Sequence, residues 1–137
     1  MVLLEYYIGC SGWSYEGWKG PFYPNELDNR YWLSYYSQIF DFVEIDSTFY
    51  RTPSTFMVNN WSKRTSDNFR FAVKFPKVIT HDKRLKDVDK DIERFYDVME
   101  PLYDKILVFF DAVTSFIRNC RRFGFDKEFR VYFGLII

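Results

Sequence analysis

Short apolar segments alternate with longer segments of helical periodicity, and this alternation constrains the fold more than any other feature. Strands are predicted at 6–10, 42–46, 69–75, 106–110 and 129–137. Between them the sequence predicts four helices. The first spans 29–40, with Asp28 or Asn29 as its N-cap, and the second begins at Ser54 or Thr55, with Met57 and Trp61 on its buried face. The third spans 88–99, and the fourth lies around 113–120. Strands that recur every 25 to 35 residues or so, with helices between them, are typical of a parallel α/β protein.

The spacing also predicts how much of a closed barrel the chain can form. A (β/α)₈ barrel has about 250 residues, or about 31 per unit. The chain has 137 residues, so it has room for about four βα units and a fifth strand. We therefore predict an α/β fold class and a single incomplete TIM-barrel-like domain over residues 1–137. Its open edges and apolar inner wall would be covered by a second copy, as a homodimer, or by a partner chain.

Composition and charge exclude several classes of protein. The chain is 47% hydrophobic, which excludes intrinsic disorder, and no apolar run reaches the roughly 20 residues of a membrane span. The N-terminus lacks a basic region and contains Glu5, so we expect a cytoplasmic protein without a membrane partner. The 19 basic and 19 acidic side chains balance, and only the local cluster 80–84 favours nucleic acid. Cys10 and Cys120 are expected to be buried, reduced thiols.

Alternation within two predicted strands places charged side chains in the barrel interior. In strand 42–46, Val43 and Ile45 suit the helix-covered side, which turns Glu44 and Asp46 inward. In strand 69–75, the same argument turns Lys74 inward. Carboxylates and an ammonium would then meet at the carboxyl ends of neighbouring strands, where such barrels build their active sites. Two interpretations remain open: an acid–base or electrostatic pair that does chemistry, and a structural ion pair.

The segments that follow these strands supply further candidates. Trp13, Tyr23 and Tyr50 are predicted to contact ligand, and Arg51 to hold a phosphate or carboxylate, although aromatic side chains also commonly roof a core. His81, the only histidine, is a candidate for proton transfer or an ordinary loop residue. A metal could draw on Glu44, Asp46 and His81, but no diagnostic ligand spacing is present, so no metal is predicted. The sequence identifies no cofactor.

The segments that carry these residues resemble the YecE-like family, known as domain of unknown function 72. The resemblance is collinear over about residues 6 to 85. It lies in the motifs Gly-Cys-Ser-Gly-Trp-Ser-Tyr (9–15), Phe-Tyr-Pro (22–24), Val-Glu-Ile-Asp-Ser-Thr-Phe-Tyr-Arg (43–51), Phe-Arg-Phe-Ala-Val-Lys (69–74) and Ile-Thr-His (79–81). It implies a (β/α)₈-type barrel without an assigned reaction. Glu44, Tyr50, Arg51, Lys74 and His81 fall on the family's most characteristic positions.

Two departures from the family pattern matter. The family usually has Asn at the position of Asp46, so this chain adds a negative charge there. After 106–110 the family usually has a Gln-Leu-Pro-Pro loop, and its fifth strand ends in an acidic-Phe-Arg-His stretch, whereas this chain has Asp111-Ala112-Val113 and then 131–137.

The leading hypothesis is a pocket for a small anionic or carbohydrate-like ligand. In it Glu44, Lys74 and His81 do the chemistry, while Trp13, Tyr23, Asp46, Tyr50 and Arg51 bind. The alternative is a non-catalytic remnant, or a subunit that completes its barrel with another chain.

Overall fold

The fold is a four-stranded parallel sheet with helices packed on one face, seen in a computed structural model that describes residues 7–110. The strands are β1 (Gly9–Ser11), β2 (Phe42–Ile45), β3 (Arg70–Lys74) and β4 (Ile106–Phe110), adjacent in the order of the sequence. The helices are α1 (Trp32–Ile39), α2 (Ser47–Tyr50), α3 (Thr55–Lys63) and α4 (Asp89–Met99). Short 3₁₀ turns occupy Glu16–Trp18, Asn29–Tyr31 and Glu100–Lys105, and a π-helical turn spans Val78–Asp82.

The α/β class and the parallel strand order are confirmed, and parallel strands adjacent in sequence order, with helices between them, are the arrangement found in part of a (β/α)₈-type barrel. β1 is shifted from the predicted 6–10 because Cys10 and Ser11 pair with Val43 and Glu44, and Gly12, with φ +79°, ends the strand. The predicted helix at 113–120 and strand at 129–137, together with Cys120, lie outside the described residues. Cys10 has a free, half-buried thiol.

Capping side chains begin two of the helices where the sequence predicts. The carboxylate of Asp28 accepts a hydrogen bond from the backbone N–H of Arg30, at the start of the turn that leads into α1. The hydroxyl of Ser54 accepts one from the N–H of Met57 at the start of α3. The buried face of α3 holds Val58 and Trp61, whereas Met57 is 48% exposed. The prediction that Met57 is buried was therefore wrong.

The core lies between the sheet and its helices and is mainly aromatic. Val43, Ile45 and Phe71 point into it from the strands, and each is at most 1% exposed. Tyr23 stacks on Trp32 with ring centroids 4.7 Å apart. A smaller cluster of Phe42, Ala72 and Val108 occupies the opposite face of the sheet. The two clusters confirm that β2 and β3 alternate between a helix-covered face and an inner face. Among the described helices, none is long and apolar enough to cross a bilayer.

A buried lysine joins the end of α3 to the start of β4. Lys105 is 7% exposed, and its ammonium donates to the carbonyl oxygens of Ser62 and Thr65 at 2.6 and 2.8 Å. Burial lowers the pKa of Lys105, yet these carbonyls are the acceptors that the C-terminal end of a helix leaves unsatisfied. The lysine therefore anchors the α3 end to the sheet.

Lys105→Met is expected to lower the free energy of unfolding by about 2 kcal/mol, because it removes the buried ammonium that donates to the carbonyl oxygens of Ser62 and Thr65. Urea unfolding measures the change. Lys90→Met, at an exposed position on α4, serves as the matched control and should stay within about 0.5 kcal/mol of the parent chain. Equal stability of the two variants would show that Lys105 does not anchor the helix.

Candidate functional site

Glu44 lies on the inner face of the sheet at the centre of the carboxyl-terminal strand ends, here called the strand mouth. The register pairs Glu44 with Ser11 of β1 on one side and with Ala72 of β3 on the other. Glu44 is 8% exposed, although its neighbours Val43 and Ile45 point into the opposite, helix-covered core. Both Ser11 and Ala72 are small, so neither neighbouring strand places a bulky side chain beside the carboxyl group of Glu44.

Asp46 and Lys74 form an ion pair at the same mouth. Nζ of Lys74 lies 3.0 Å from Oδ1 of Asp46, and the two side chains are 21% and 33% exposed, respectively. The hydroxyl of Ser11 donates to Asp46 and also lies 3.4 Å from Oε1 of Glu44. The structure therefore brings together the charged groups that alternation in the strands predicts, but the direct partner of Lys74 is Asp46 rather than Glu44.

The two carboxyl groups have pKa values displaced in opposite directions. Burial, followed by the hydrogen bond and the charge of Asp46, raises the pKa of Glu44 to about 7, against the opposing effects of Lys74 and Ser11. Burial also opposes ionisation of Asp46, but hydrogen bonds from Ser11, Glu44 and Lys74 together lower the pKa of Asp46. Near neutral pH, Asp46 is thus ionised, whereas the raised pKa of Glu44 lies close to the pH of the solution.

Aromatic rings surround the ammonium of Lys74. Nζ lies 5.2 Å from the ring centroid of Phe49 and 5.9 Å from that of Phe110. The ring of Phe49 also meets the rings of Tyr50 and His81 edge-on, each at 5.0 Å between centroids. Phe49 therefore links Lys74 to two of the predicted site residues, Tyr50 and His81, at one rim.

Local backbone structure places these rim residues. α2 begins immediately after Asp46, and the buried hydroxyl of Thr48 donates to the carbonyl oxygen of Lys74 at 2.6 Å, which ties α2 to β3. Tyr50 is 81% exposed at the end of α2, and Arg51 follows it, exposed and without an ion pair to any described residue. His81 is exposed in the π-helical turn, with Nδ1 2.8 Å from the hydroxyl of Thr80.

Two predicted ligand contacts lie away from the strand mouth. Tyr23 is fully buried in the helix-side core, stacked on Trp32, and its hydroxyl donates to the carbonyl oxygen of Trp13 at 2.6 Å. The prediction that Tyr23 contacts ligand places this ring in a cleft, whereas the structure places it in the core, where it has no exposed surface. Trp13 packs edge-on against Trp61 of α3, with centroids 5.7 Å apart, also on the helix side.

The structure adds residues that the sequence argument missed. Ser11 could have been found by extending the alternation to β1, since it occupies the same row as Glu44. Tyr15 donates to the carbonyl oxygen of Ser11, and burial, followed by the charges of Asp46, Cys10 and Glu44, raises the pKa of Tyr15. No periodicity marks Phe49 or Tyr15, because both lie outside the strands. Among the described residues, no group of His, Cys, Asp or Glu side chains has the arrangement of a metal site.

Comparison with known proteins gives the family. The sequence model of a family described as "Protein of unknown function DUF72" matches residues 7–122 of this chain. The chain belongs to the DUF72 family. Among DUF72 relatives, the UPF0759 protein YecE of Escherichia coli strain K12 is 33% identical over 100 residues, which is 73% of this chain and 34% of YecE. The UPF0759 protein YunF of Bacillus subtilis is 35% identical over 68 residues, or 50% of this chain and 23% of YunF.

Solved DUF72 structures share the fold. A DUF72 family protein from Thermotoga maritima superposes with a TM-score of 0.64 at 36% identity, over 75% of this chain and 42% of that one. A second, from Enterococcus faecalis, gives 0.61 at 22% identity over 77% and 38% of the two chains, and it supports the fold alone. The chain spans about a third of the length of YecE. The likeness therefore establishes family and fold but no reaction.

Proposed function

We propose that this DUF72 chain binds a small anionic ligand of sugar or nucleotide type at the strand mouth and that Glu44 exchanges a proton with it. Arg51, exposed and without an ion pair among the described residues, would hold a phosphate or carboxylate of the ligand through its planar guanidinium. Tyr50 would provide a ring face for a sugar or base. His81, on the same rim through its contact with Phe49, would transfer a second proton.

The observation that carries this proposal is the geometry around Glu44. Two carboxyl groups and one ammonium meet at the carboxyl ends of β2 and β3, and the ammonium pairs with Asp46. Within residues 7–110, the buried Glu44 therefore has no direct cationic partner. A purely structural ion pair would need only one carboxylate for the one lysine. The second carboxyl is therefore available as a general base when ionised and as a general acid when protonated.

The ammonium of Lys74 has a further role in this proposal. It contacts the rings of Phe49 and Phe110 and pairs with Asp46, and these contacts position its positive charge at the mouth. A preorganised charge of this kind stabilises negative charge that develops on a substrate oxygen. Lys74 would thus stabilise the product of the proton transfer that Glu44 carries out.

Binding of D-ribose 5-phosphate to the 137-residue chain, followed by amide chemical shifts, tests this function. We expect saturable shifts at Ser11, Arg51 and His81, and we expect Lys74→Met to weaken binding by about tenfold, the loss of one charged contact. Lys90→Met, an exposed lysine on α4, is the matched control and should bind as the parent does. An unchanged α4 spectrum in Lys74→Met shows that the fold is intact.

The opposite outcome favours the non-catalytic alternative. The proposal is contradicted if D-ribose 5-phosphate changes the amide chemical shifts of none of the mouth residues. It is also contradicted if Lys74→Met and Lys90→Met lower the affinity for this ligand equally. The sheet would then act only as a scaffold that a second copy or a partner chain completes. This alternative is supported by β1 and β4, the outermost strands of the sheet within residues 7–110, because outer strands can pair with another chain.

A further inference from the structure

A groove separate from the strand mouth runs between α1 and α3 on the helix-covered side of the sheet. Its volume is about 210 Å³. We call it the Trp13 groove, and its lining residues are Trp13, Asn29, Arg30, Leu33, Met57, Asn60, Trp61 and Arg64. All eight lie between residues 13 and 64, within the described part of the chain.

The inner end of the Trp13 groove is aromatic and apolar. The indoles of Trp13 and Trp61 meet at 85°, with centroids 5.7 Å apart, and Trp61 is 8% exposed. Leu33 beside them is 2% exposed and belongs to the core. Trp13 is only partly buried, so its ring offers a surface on which one flat ring can pack.

The outer end of the Trp13 groove is cationic. The guanidinium carbons of Arg30 and Arg64 lie 5.8 and 5.6 Å from the ring centroid of Tyr31, which holds both side chains at this rim. Arg30 is already engaged in a two-pronged pair with Asp28, at 2.9 and 3.0 Å. Arg64 makes no ion pair with any described residue.

The remaining lining fits an anion. None of the eight lining residues is acidic, and Asn29 and Asn60 add amide groups that can donate hydrogen bonds. Asp28, next to the lining residue Asn29, is paired with Arg30, whereas Arg64 keeps a positive charge that no described carboxylate pairs with. The groove is smaller than the roughly 300 to 1,000 Å³ of drug-sized sites, which limits the ligand to about one ring with its substituent.

We propose that the Trp13 groove binds a compact aromatic anion, in which one ring packs on Trp13 and Trp61 and a phosphate or carboxylate group is held by Arg64. This binding site is distinct from the strand mouth, because its lining faces the core that Val43 and Ile45 enter, on the opposite face of the sheet from Glu44.

Phenyl phosphate and benzoate, titrated separately into the 137-residue chain, test the proposal, with benzyl alcohol as the uncharged probe. The readouts are the indole N–H resonances of Trp13 and Trp61. We expect saturable shifts with at least one of the two anions and much weaker ones with the alcohol; which anion binds more tightly identifies the preferred charged group. Arg64→Gln should weaken anion binding by about tenfold.

Arg94→Gln, the same substitution at an exposed position on α4, is the control and should bind as the parent does. Arg64→Lys keeps the charge but loses the planar fork, so its affinity should fall between those of the parent and Arg64→Gln. The proposal is wrong if neither anion shifts the two indoles, if benzyl alcohol binds as tightly as the anions, or if Arg64→Gln and Arg94→Gln have equal effects.

Discussion

Gly9→Ala is expected to destabilise the folded chain by at least about 3 kcal/mol. A Cβ atom at this position would lie 1.7 Å from the carbonyl oxygen of Phe42 and 2.8 Å from the hydroxyl of Tyr36. The nearest obstacle is backbone of the neighbouring strand, so the clash can be relieved only if β1 moves away from β2.

The movement of β1 would break more than one contact. The hydroxyl of Tyr36 accepts a hydrogen bond from the N–H of Cys10 at 2.6 Å and donates one to the carbonyl oxygen of Phe42 at 2.9 Å. Tyr36 is fully buried in the aromatic core. Separating β1 from β2 would therefore leave buried polar groups without partners and would loosen the ring packing around Tyr36.

Urea unfolding of Gly9→Ala and Gly17→Ala measures this effect against a matched control. A Cβ at Gly17 meets no atom within 4 Å, and the residue is exposed, so that variant should stay within about 0.5 kcal/mol of the parent. If Gly9→Ala were as stable as Gly17→Ala, β1 would not approach β2 as closely as described. The position of Ser11 beside Glu44 would then also be incorrect.

Glu44→Gln is expected to stabilise the chain at pH 8, although it removes a charged group. Burial, then the hydrogen bond and charge of Asp46, raises the pKa of Glu44 to about 7, from 4.5 as its ordinary value. Ionised Glu44 therefore costs free energy in the folded state, and glutamine removes that cost. The difference at pH 8 should be on the order of 2 to 3 kcal/mol in favour of the variant.

The sign of the pH dependence follows from the raised pKa. Below about pH 4.5 Glu44 is mostly protonated in both the folded and the unfolded chain. The folded chain binds this proton more tightly than the unfolded chain does, and the resulting contribution to the free energy of unfolding is fully present at such pH values. As the pH rises towards 7, the unfolded chain loses this proton more readily than the folded one, so the stability falls. The lowered pKa of Asp46 acts in the opposite direction, but at pH values below this window.

Thermal or urea unfolding of the parent and of Glu44→Gln between pH 4.5 and 8 checks the prediction. The two curves should converge at low pH and separate as the pH rises. Glu93→Gln, at an exposed position on α4, should run parallel to the parent. If Glu44→Gln were instead the less stable chain at pH 8, Glu44 would be an ionised member of a structural ion pair.

Much of the fold could be predicted from local pattern. Alternation placed Val43 and Ile45 on the helix side and Glu44 on the inner side, because successive side chains in a strand point to opposite faces whatever the neighbouring strands are. Helix caps at Asp28 and Ser54 were also predictable, since capping depends on residues three or fewer positions apart. These features need no knowledge of distant contacts.

Features that depend on distant contacts could not be predicted. Whether Tyr23 lines a cleft or fills the core depends on Trp32, and Met57 is exposed because Val58 and Trp61 take the inward face of α3. Alternation placed two carboxyls and Lys74 at one mouth, but the choice of Asp46 as the ion-pair partner depends on the register of β2 against β3 and on Ser11. The extent of the domain over residues 1–137 stays a prediction.

A carbon-detected NMR titration of the Glu44 carboxyl group, in the parent chain and in Lys74→Met, addresses the proton-exchanging role of Glu44 most directly. We expect Glu44 to titrate with a pKa of about 7 in the parent. In Lys74→Met the pKa should be higher still, because the positive charge of Lys74 favours the ionised form. A Glu44 that titrates near 4.5, its ordinary value, and does not respond to Lys74→Met would contradict the account.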